Sequence, residues 1–312
     1  MIGFAKVEEQ FNAVKQSPYL FPKTIPTILL LQRNVNHSIY PKPGSEWSST
    51  RRPSAYKFGQ QINAKLNAEI QSWCIYGASN DKNAFDMFCV AKRDQPDKPR
   101  FVTDWRLRNL AIYKKQTPLA NINELMEEIA AYPVWSKIDL VDVYNNIRVE
   151  ESLEKWNTVL TTHGKMRSQV MSQGDYNTPG TMMEAMLDIF KDVVYQCLVI
   201  CIEDIIIYSR TYGEHARDLK TVLQGLEEQK FYFKESKCQF FTRKLETLGH
   251  ILTSDGLHVD LKKQKTILEF PTPTPQKYLR GFLGVVNYLQ RFQPGLACDA
   301  STKLELQGEY IK

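Results

Sequence analysis

The chain has 312 residues, 43% of them hydrophobic and 24% charged, with a formal net charge of +5, enough length for a sizeable core and about two domains. Its longest unbroken apolar run, residues 197–202, has six residues, against the roughly 20 that a spanning helix needs. The opening MIGFAKVEEQFNAV carries acidic residues and no apolar h-region, so neither membrane attachment nor secretion is expected; an intracellular place is, with cytoplasm and nucleus both open.

The six cysteines, at positions 74, 89, 197, 201, 238 and 298, form no C-x₂-C pair. They read as small buried hydrophobes of a reducing compartment rather than zinc ligands or disulfides. Residues 91–115 hold eight cations (Lys92, Arg93, Lys98, Arg100, Arg106, Arg108, Lys114, Lys115) against Asp94, Asp97 and Asp104. Such a stripe suits a polyphosphate or nucleic-acid backbone, or simply a solvated loop face.

In chain order, residues 1–75 are expected to be an extended, proline-rich lead-in with little packed structure. Toward its end Ile62, Leu66, Ile70 and Trp73 follow at helical spacing. Strands are expected over 87–91 and 101–103. Asn121 and Glu124 resemble a capping box, opening a helix with Ile122, Leu125, Met126 and Ile129 inward, which Pro133 ends. A strand over 135–140 carries Asp139. A helix from Pro179 to Val193 places Met182, Met186, Ile189 and Val193 on one face. Apolar runs 197–202 and 205–208 read as a hairpin broken by Glu203-Asp204. A helix with Ala216, Leu219, Val222, Leu223 and Leu226 follows, then the strand-like FYF, CQFF and LGHIL and a helical end. The sum is α+β, a sheet with helices on one face between a basic lobe and a helical lobe.

Glu203-Asp204 lacks the glycine or asparagine that a two-residue hairpin turn favours. Adjacent carboxylates repel, and burying either costs free energy without a nearby cation. A divalent metal answers both points, since hard ions take carboxylate and phosphate oxygens, and Asp139 offers a third carboxylate. Taken singly, an aspartate in a strand or an acidic loop tip has a plain surface explanation; together with the basic stripe the three point to nucleotidyl transfer.

The motifs, in order from about residue 88 to 297, resemble the reverse transcriptase of gypsy-type LTR retrotransposons (Metaviridae-like pol polyproteins). KPRFVTDWRLRN is similar to the fingers segment that closes on a triphosphate, implying Arg100 on phosphate with Lys92 or Arg93 as basic partner. SKIDLVDVY resembles the first catalytic motif: Asp139 a metal ligand, Asp142 near the triphosphate, Tyr144 the gate against a ribose 2′-OH. MSQGDYNTPGT implies Gln173 and Gly174 beside nucleotide and template. LGHIL resembles a primer grip, Leu248, Gly249 and His250, and the segment with FLGVVNYLQRF resembles a thumb, where Lys277 and Arg280 would track a duplex backbone.

The resemblance implies a right hand of fingers, palm and thumb, with an antiparallel palm sheet backed by helices. Fingers and palm fall over 76–255, a thumb-like helical segment over 256–297, and a truncated tail over 298–312. It also implies two Mg²⁺ (or Mn²⁺) ions held by catalytic Asp139, Glu203 and Asp204. The partners would be deoxynucleoside triphosphates and a primer on an RNA or DNA template, with no membrane.

The family's palm motif is an aromatic, a variable residue and two aspartates, where this chain reads Cys201, Ile202, Glu203, Asp204. Mg²⁺ demands near-ideal octahedral geometry, so the longer arm of Glu203 is expected to weaken polymerisation while metal and nucleic-acid binding partly survive. No protease D-[ST]-G, zinc-knuckle or integrase segment is found, which reads as a fragment or decayed copy. An inactive nucleic-acid-binding remnant and a product without a selected role stay open as alternatives.

Overall fold

The structure is a computed structural model; it describes residues 25–45 except 31, 59–117 except 83, 93 and 94, and 121–260 except 202, with a few scattered positions beyond. The fingers begin with α1 (Gly59–Gln71), which buries Ile62 and Leu66. Trp73, expected on that face, lies past the helix end at φ +63° and is 69% exposed. A five-stranded sheet follows, built from β1 (Ile75–Gly77), β2 (Phe85–Lys92), β3 (Gln95–Thr103), β5 (Thr158–Thr161) and β6 (Gly164–Ser168), in the order β1-β6-β5-β2-β3. Only β2 and β5 run parallel. The helix α2 (Arg106–Ala111) comes directly after β3.

The lead-in is more packed than its prolines suggest. His37 and Ile39 are buried, and the backbone of this stretch bonds to Arg148, Glu150 and Ala111. Proline removes only its own donor, and isolated bridges such as His37↔Val149 and Pro41↔Ile112 need no continuous ladder.

The palm sheet is antiparallel throughout. β4 (Val134–Val141) lies between β10 (Gln239–Thr242) and β8 (Asp204–Ser209), β7 (Leu198–Cys201) closes one edge, and the short β9 (Tyr232–Phe233) pairs with the end of β4. Side chains alternate between faces at period two. Ile138, Leu140, Leu198, Ile200, Ile205 and Ile207 meet α4 (Thr178–Ile189) and α5 (Tyr212–Glu228) in the main core. Burying each leucine-sized side chain there contributes about 1.5–3 kcal/mol. Gly225 of α5 lets that helix approach α4: a Cβ there would stand 2.8 Å from the Phe190 ring.

Helices on one face only was the expectation. The opposite face is also apolar at Trp135, Val199, Ile206 and Tyr208, and it is covered by α3 (Ile122–Ala130) and by the strands β11 (Lys244–Thr247) and β12 (His250–Thr253). Leu125, Met126 and Ile129 supply the contact from α3, whereas Ile122 is exposed. β13 (Gly256–Val259) completes a meander with β11 and β12. The first residues of the expected helical thumb are therefore strand, and most of 261–297, Lys277 and Arg280 among them, lies outside the described residues. Among the described residues no helix is long and apolar enough to cross a membrane.

Candidate active site

The second face of the palm sheet changes character along its length. Where α3 covers it the residues are apolar; beyond that cover it carries Lys137 and Asp139 of β4 and Asp204 of β8. Asp139 and Asp204 are direct cross-strand partners, so both carboxylates issue from the same face.

The hairpin tip differs from the expected one. Cys201 pairs with Asp204, which makes Asp204 the first residue of β8 and leaves Glu203 in the turn. The pairing of Asp204 with Asp139, distant in sequence, sets that register; local composition does not carry it. Cys201 is buried, and burial, with the Asp204 charge beside it, pushes its thiol up to about 11. It is a neutral packing residue next to the carboxylates.

Two ammonium groups neutralise the aspartates. Lys237 Nζ lies 3.0 and 3.2 Å from the two oxygens of Asp139. Lys137 Nζ lies 2.9 Å from Asp204 Oδ2, both side chains being largely buried. Glu203 sits in the turn near Tyr144: burial, and after it the neighbouring Glu203 carboxylate, push the Tyr144 phenol up. Its backbone carbonyl accepts from Leu140 N at 3.2 Å.

Hard carboxylate oxygens on Asp139 and Asp204 suit a divalent ion, and two cations already gather there. Among the described residues, however, no three His, Cys, Asp or Glu side chains come together as a ligand set. The fit is to a two-aspartate site in which an ion would take the place of ammonium, with Glu203 standing apart.

Beside this face opens a cleft of about 250 Å³ between fingers and palm. It gathers Arg100 from β3, Asp142 and Tyr144 from the segment after β4, Gln173 from the loop before α4, and Glu203 from the turn. Asp142 adopts the left-handed conformation (φ 51°, ψ 30°) at the start of a 3-10 turn, a conformation aspartate tolerates better than most residues. Gly174, at φ +96°, follows Gln173, and a Cβ there would stand 3.4 Å from Trp105 Cδ1.

Two basic residues of the cleft were not anticipated. Lys65 of α1 pairs with Glu69 at 2.8 Å and lies 5.1 Å from the centre of the Phe101 ring, and Lys237 also lines the cleft. Lys137 was legible in principle, being two residues before Asp139 on a strand; nothing in the local pattern marks Lys65 or Lys237.

The other expected residues are dispersed. Lys92 ends β2 and Arg93 lies outside the described residues. Leu248 and Gly249 form the two-residue turn between β11 and β12, with φ of 50° and 82°, the positive values that such a turn requires. His250 is 1% exposed, so its side chain is not on the molecular surface. The basic stripe is partly consumed internally: Arg106 pairs with Asp104, Lys115 with Glu184, and Arg108 is buried against Asp175.

Comparison with known proteins gives three results. A family profile described as reverse transcriptase (RNA-dependent DNA polymerase) matches residues 90–252. The chain is 28% identical to the Retrovirus-related Pol polyprotein from transposon 297 of Drosophila melanogaster over 91% of its own length, and 27% identical to the Transposon Tf2-3 polyprotein of Schizosaccharomyces pombe over 75%. It spans 28% and 17% of those polyproteins. Among solved structures, the foamy viral protease-reverse transcriptase in complex with double-stranded DNA superposes with a TM-score of 0.79 at 16% identity, covering 98% of this chain and 52% of that one. The foamy viral enzyme with an RNA/DNA hybrid gives 0.73 at 16% identity, covering 95% and 40%.

Proposed function

The chain belongs to the reverse transcriptase (RNA-dependent DNA polymerase) family, and on that premise we propose that it is the polymerase domain of a retrotransposon polyprotein, extending a primer on an RNA or DNA template. The observation that carries the reading is the cleft: Arg100, Asp142, Tyr144, Gln173 and Glu203, from separate segments of the chain, line one cavity beside the Asp139–Asp204 pair. Its mixture of cation, aromatic ring and amide suits a deoxynucleoside triphosphate.

In this reading Arg100 binds the triphosphate, the Tyr144 ring lies under the sugar and leaves no room for a 2′-OH, and Gln173 flanks the base. Asp139 and Asp204 would hold Mg²⁺, which would neutralise phosphate charge and polarise the primer 3′-hydroxyl. The 3′-oxygen bonds to the α-phosphorus and gives up its proton to solvent while the bond to the leaving pyrophosphate breaks. Binding, orientation and exclusion of water are the work of the chain's own residues.

Catalysis is slow in this account. The Glu203 carboxylate stands in the turn near Tyr144, and both aspartates are engaged by lysines. The same contacts favour a second reading, a domain that binds primer–template without chemistry. Primer extension on an RNA template with Mg²⁺ and all four dNTPs separates the two: slow, template-dependent extension supports the polymerase, and its absence leaves the binding module. Both readings require salt-dependent binding to primer–template. Six phosphate contacts would give a slope of about −5 in log K against log salt, and a slope near zero contradicts both.

A further inference from the structure

Arg108 lies inside the protein, while Leu107 and Leu110 of the same helix α2 face solvent at 51% and 69% exposure. This inverts the usual preference, and a guanidinium taken out of water costs several kcal/mol unless it is well paired. Its partners are close: Asp175 Oδ2 at 2.5 Å, Asn157 Oδ1 at 2.9 Å and the Trp156 carbonyl at 3.1 Å. The guanidinium carbon also stands 3.3 Å from the centre of the Trp105 ring. Both side chains of the pair are 1% exposed. Burial draws the Arg108 pKa down to about 10. Burial alone would raise the Asp175 carboxyl, but the Arg108 charge, with His37 Nε2 at 3.6 Å and the Asn177 N–H, overcomes it and holds it at about 2, so both groups of the pair are charged.

Apolar residues of the same volume are often as stable as a buried ion pair, or more so. Stability therefore does not account for this one. Its location does. Asp175 directly follows Gln173 and Gly174 in the loop that enters α4, and the neighbourhood of α2 grips that loop at successive points. Trp105 Nε1 donates to Ser172 Oγ at 2.9 Å, Asn109 Nδ2 donates to the Gly174 carbonyl at 2.8 Å, and Asn109 Oδ1 accepts from Tyr176 N at 3.1 Å. Asp175 Oδ1 accepts from Asn177 N at 2.6 Å. Ser172 and Gln173 line the cleft. An ion pair has a preferred geometry that an apolar contact lacks, so it fixes the seat of the loop rather than merely filling space.

We propose that Arg108 and Asp175 are positioning residues of the nucleotide cleft: their buried ion pair sets the loop that presents Gln173 to the incoming nucleotide. The nucleotide part of this rests on the polymerase reading above. The seating of the loop can be measured without it.

Three chains are compared: the wild type, Asp175→Asn, and the apolar double variant Arg108→Met/Asp175→Leu. The readouts are amide exchange, thermal melting, and titration with a fluorescent dATP analogue. In Asp175→Asn the amides of Tyr176 and Asn177 should exchange about tenfold faster while β4 and β8 keep their protection. The double variant should melt within a few degrees of wild type, yet bind the dATP analogue about tenfold more weakly, with primer–template affinity within about twofold. Unchanged loop exchange, loop and palm exchange rising together, or wild-type nucleotide affinity in the double variant would each overturn the proposal. A wild-type chain that binds no dATP analogue overturns the nucleotide reading, and loop exchange alone then decides whether the pair seats the loop.

Discussion

Glu203 carries its carboxylate one methylene further from the backbone than an aspartate would; it lies near Tyr144, and among the described residues no third carboxylate joins Asp139 and Asp204 as a ligand set. The substitution was plain in the sequence; where the longer arm would go was not, because Tyr144 is about 60 residues earlier. A second residue-scale feature escaped the sequence entirely. His215 is fully buried between Ser136 and Ser209, with Nε2 2.7 Å from Ser136 Oγ and Nδ1 3.0 Å from Ser209 Oγ. Phe241 N donates to Ser136 Oγ, and Ser209 donates to Asp218, so a one-way chain of donors holds His215 neutral with its proton on Nδ1. Burial lowers its pKa to about 4 from 6.5. The unfolded chain therefore binds the extra proton first, and stability falls as pH drops from about 6.5 through 4, by about 2 kcal/mol at pH 5. Urea unfolding at pH 7 and pH 5 measures this, and His215→Gln should remove that part of the difference.

Among the elements, α5 was the most legible, since its leucines recur at 3.6-residue spacing and bury as expected. Its start is fixed by a capping box that the sequence reading did not single out: Thr211 Oγ1 accepts from Glu214 N, and the Glu214 carboxylate accepts from Thr211 N. Thr211→Ala should cost about 1 kcal/mol in chemical denaturation without changing the m-value. The palm strands were also legible, as apolar runs of strand length. Their register was not. A local reading placed both acidic residues in the turn, whereas the ladder with β4 draws Asp204 into the strand. Helix α2 was not anticipated at all. Arg108 was counted only as one cation of the basic stripe, and only Asp175, 67 residues on, explains why it is inside. Both misses come from pairings between distant segments, which periodicity cannot register.

For the whole molecule, the order of the motifs conveyed more than any one of them. The cleft forms where the five-stranded sheet meets the open end of the palm sheet. Residues 91–115 pointed to a local basic stripe or a solvated loop face; the folded molecule spends part of that charge on pairs with Asp104, Asp175 and Glu184, the one with Asp175 buried. The cations left at the centre, Lys137 and Lys237, hold the aspartates instead. A palm built for transfer chemistry and slowed at one position is the account that joins these features. A misplacement of about 1 Å at a reacting group can cost on the order of 100-fold in rate. Primer extension on an RNA template by the natural chain and by Glu203→Asp, at equal primer–template occupancy, tests it most directly. The account predicts slow extension by the natural chain and a rise of about 10- to 100-fold in Glu203→Asp. Robust synthesis by the natural chain that Glu203→Asp leaves unchanged would contradict it.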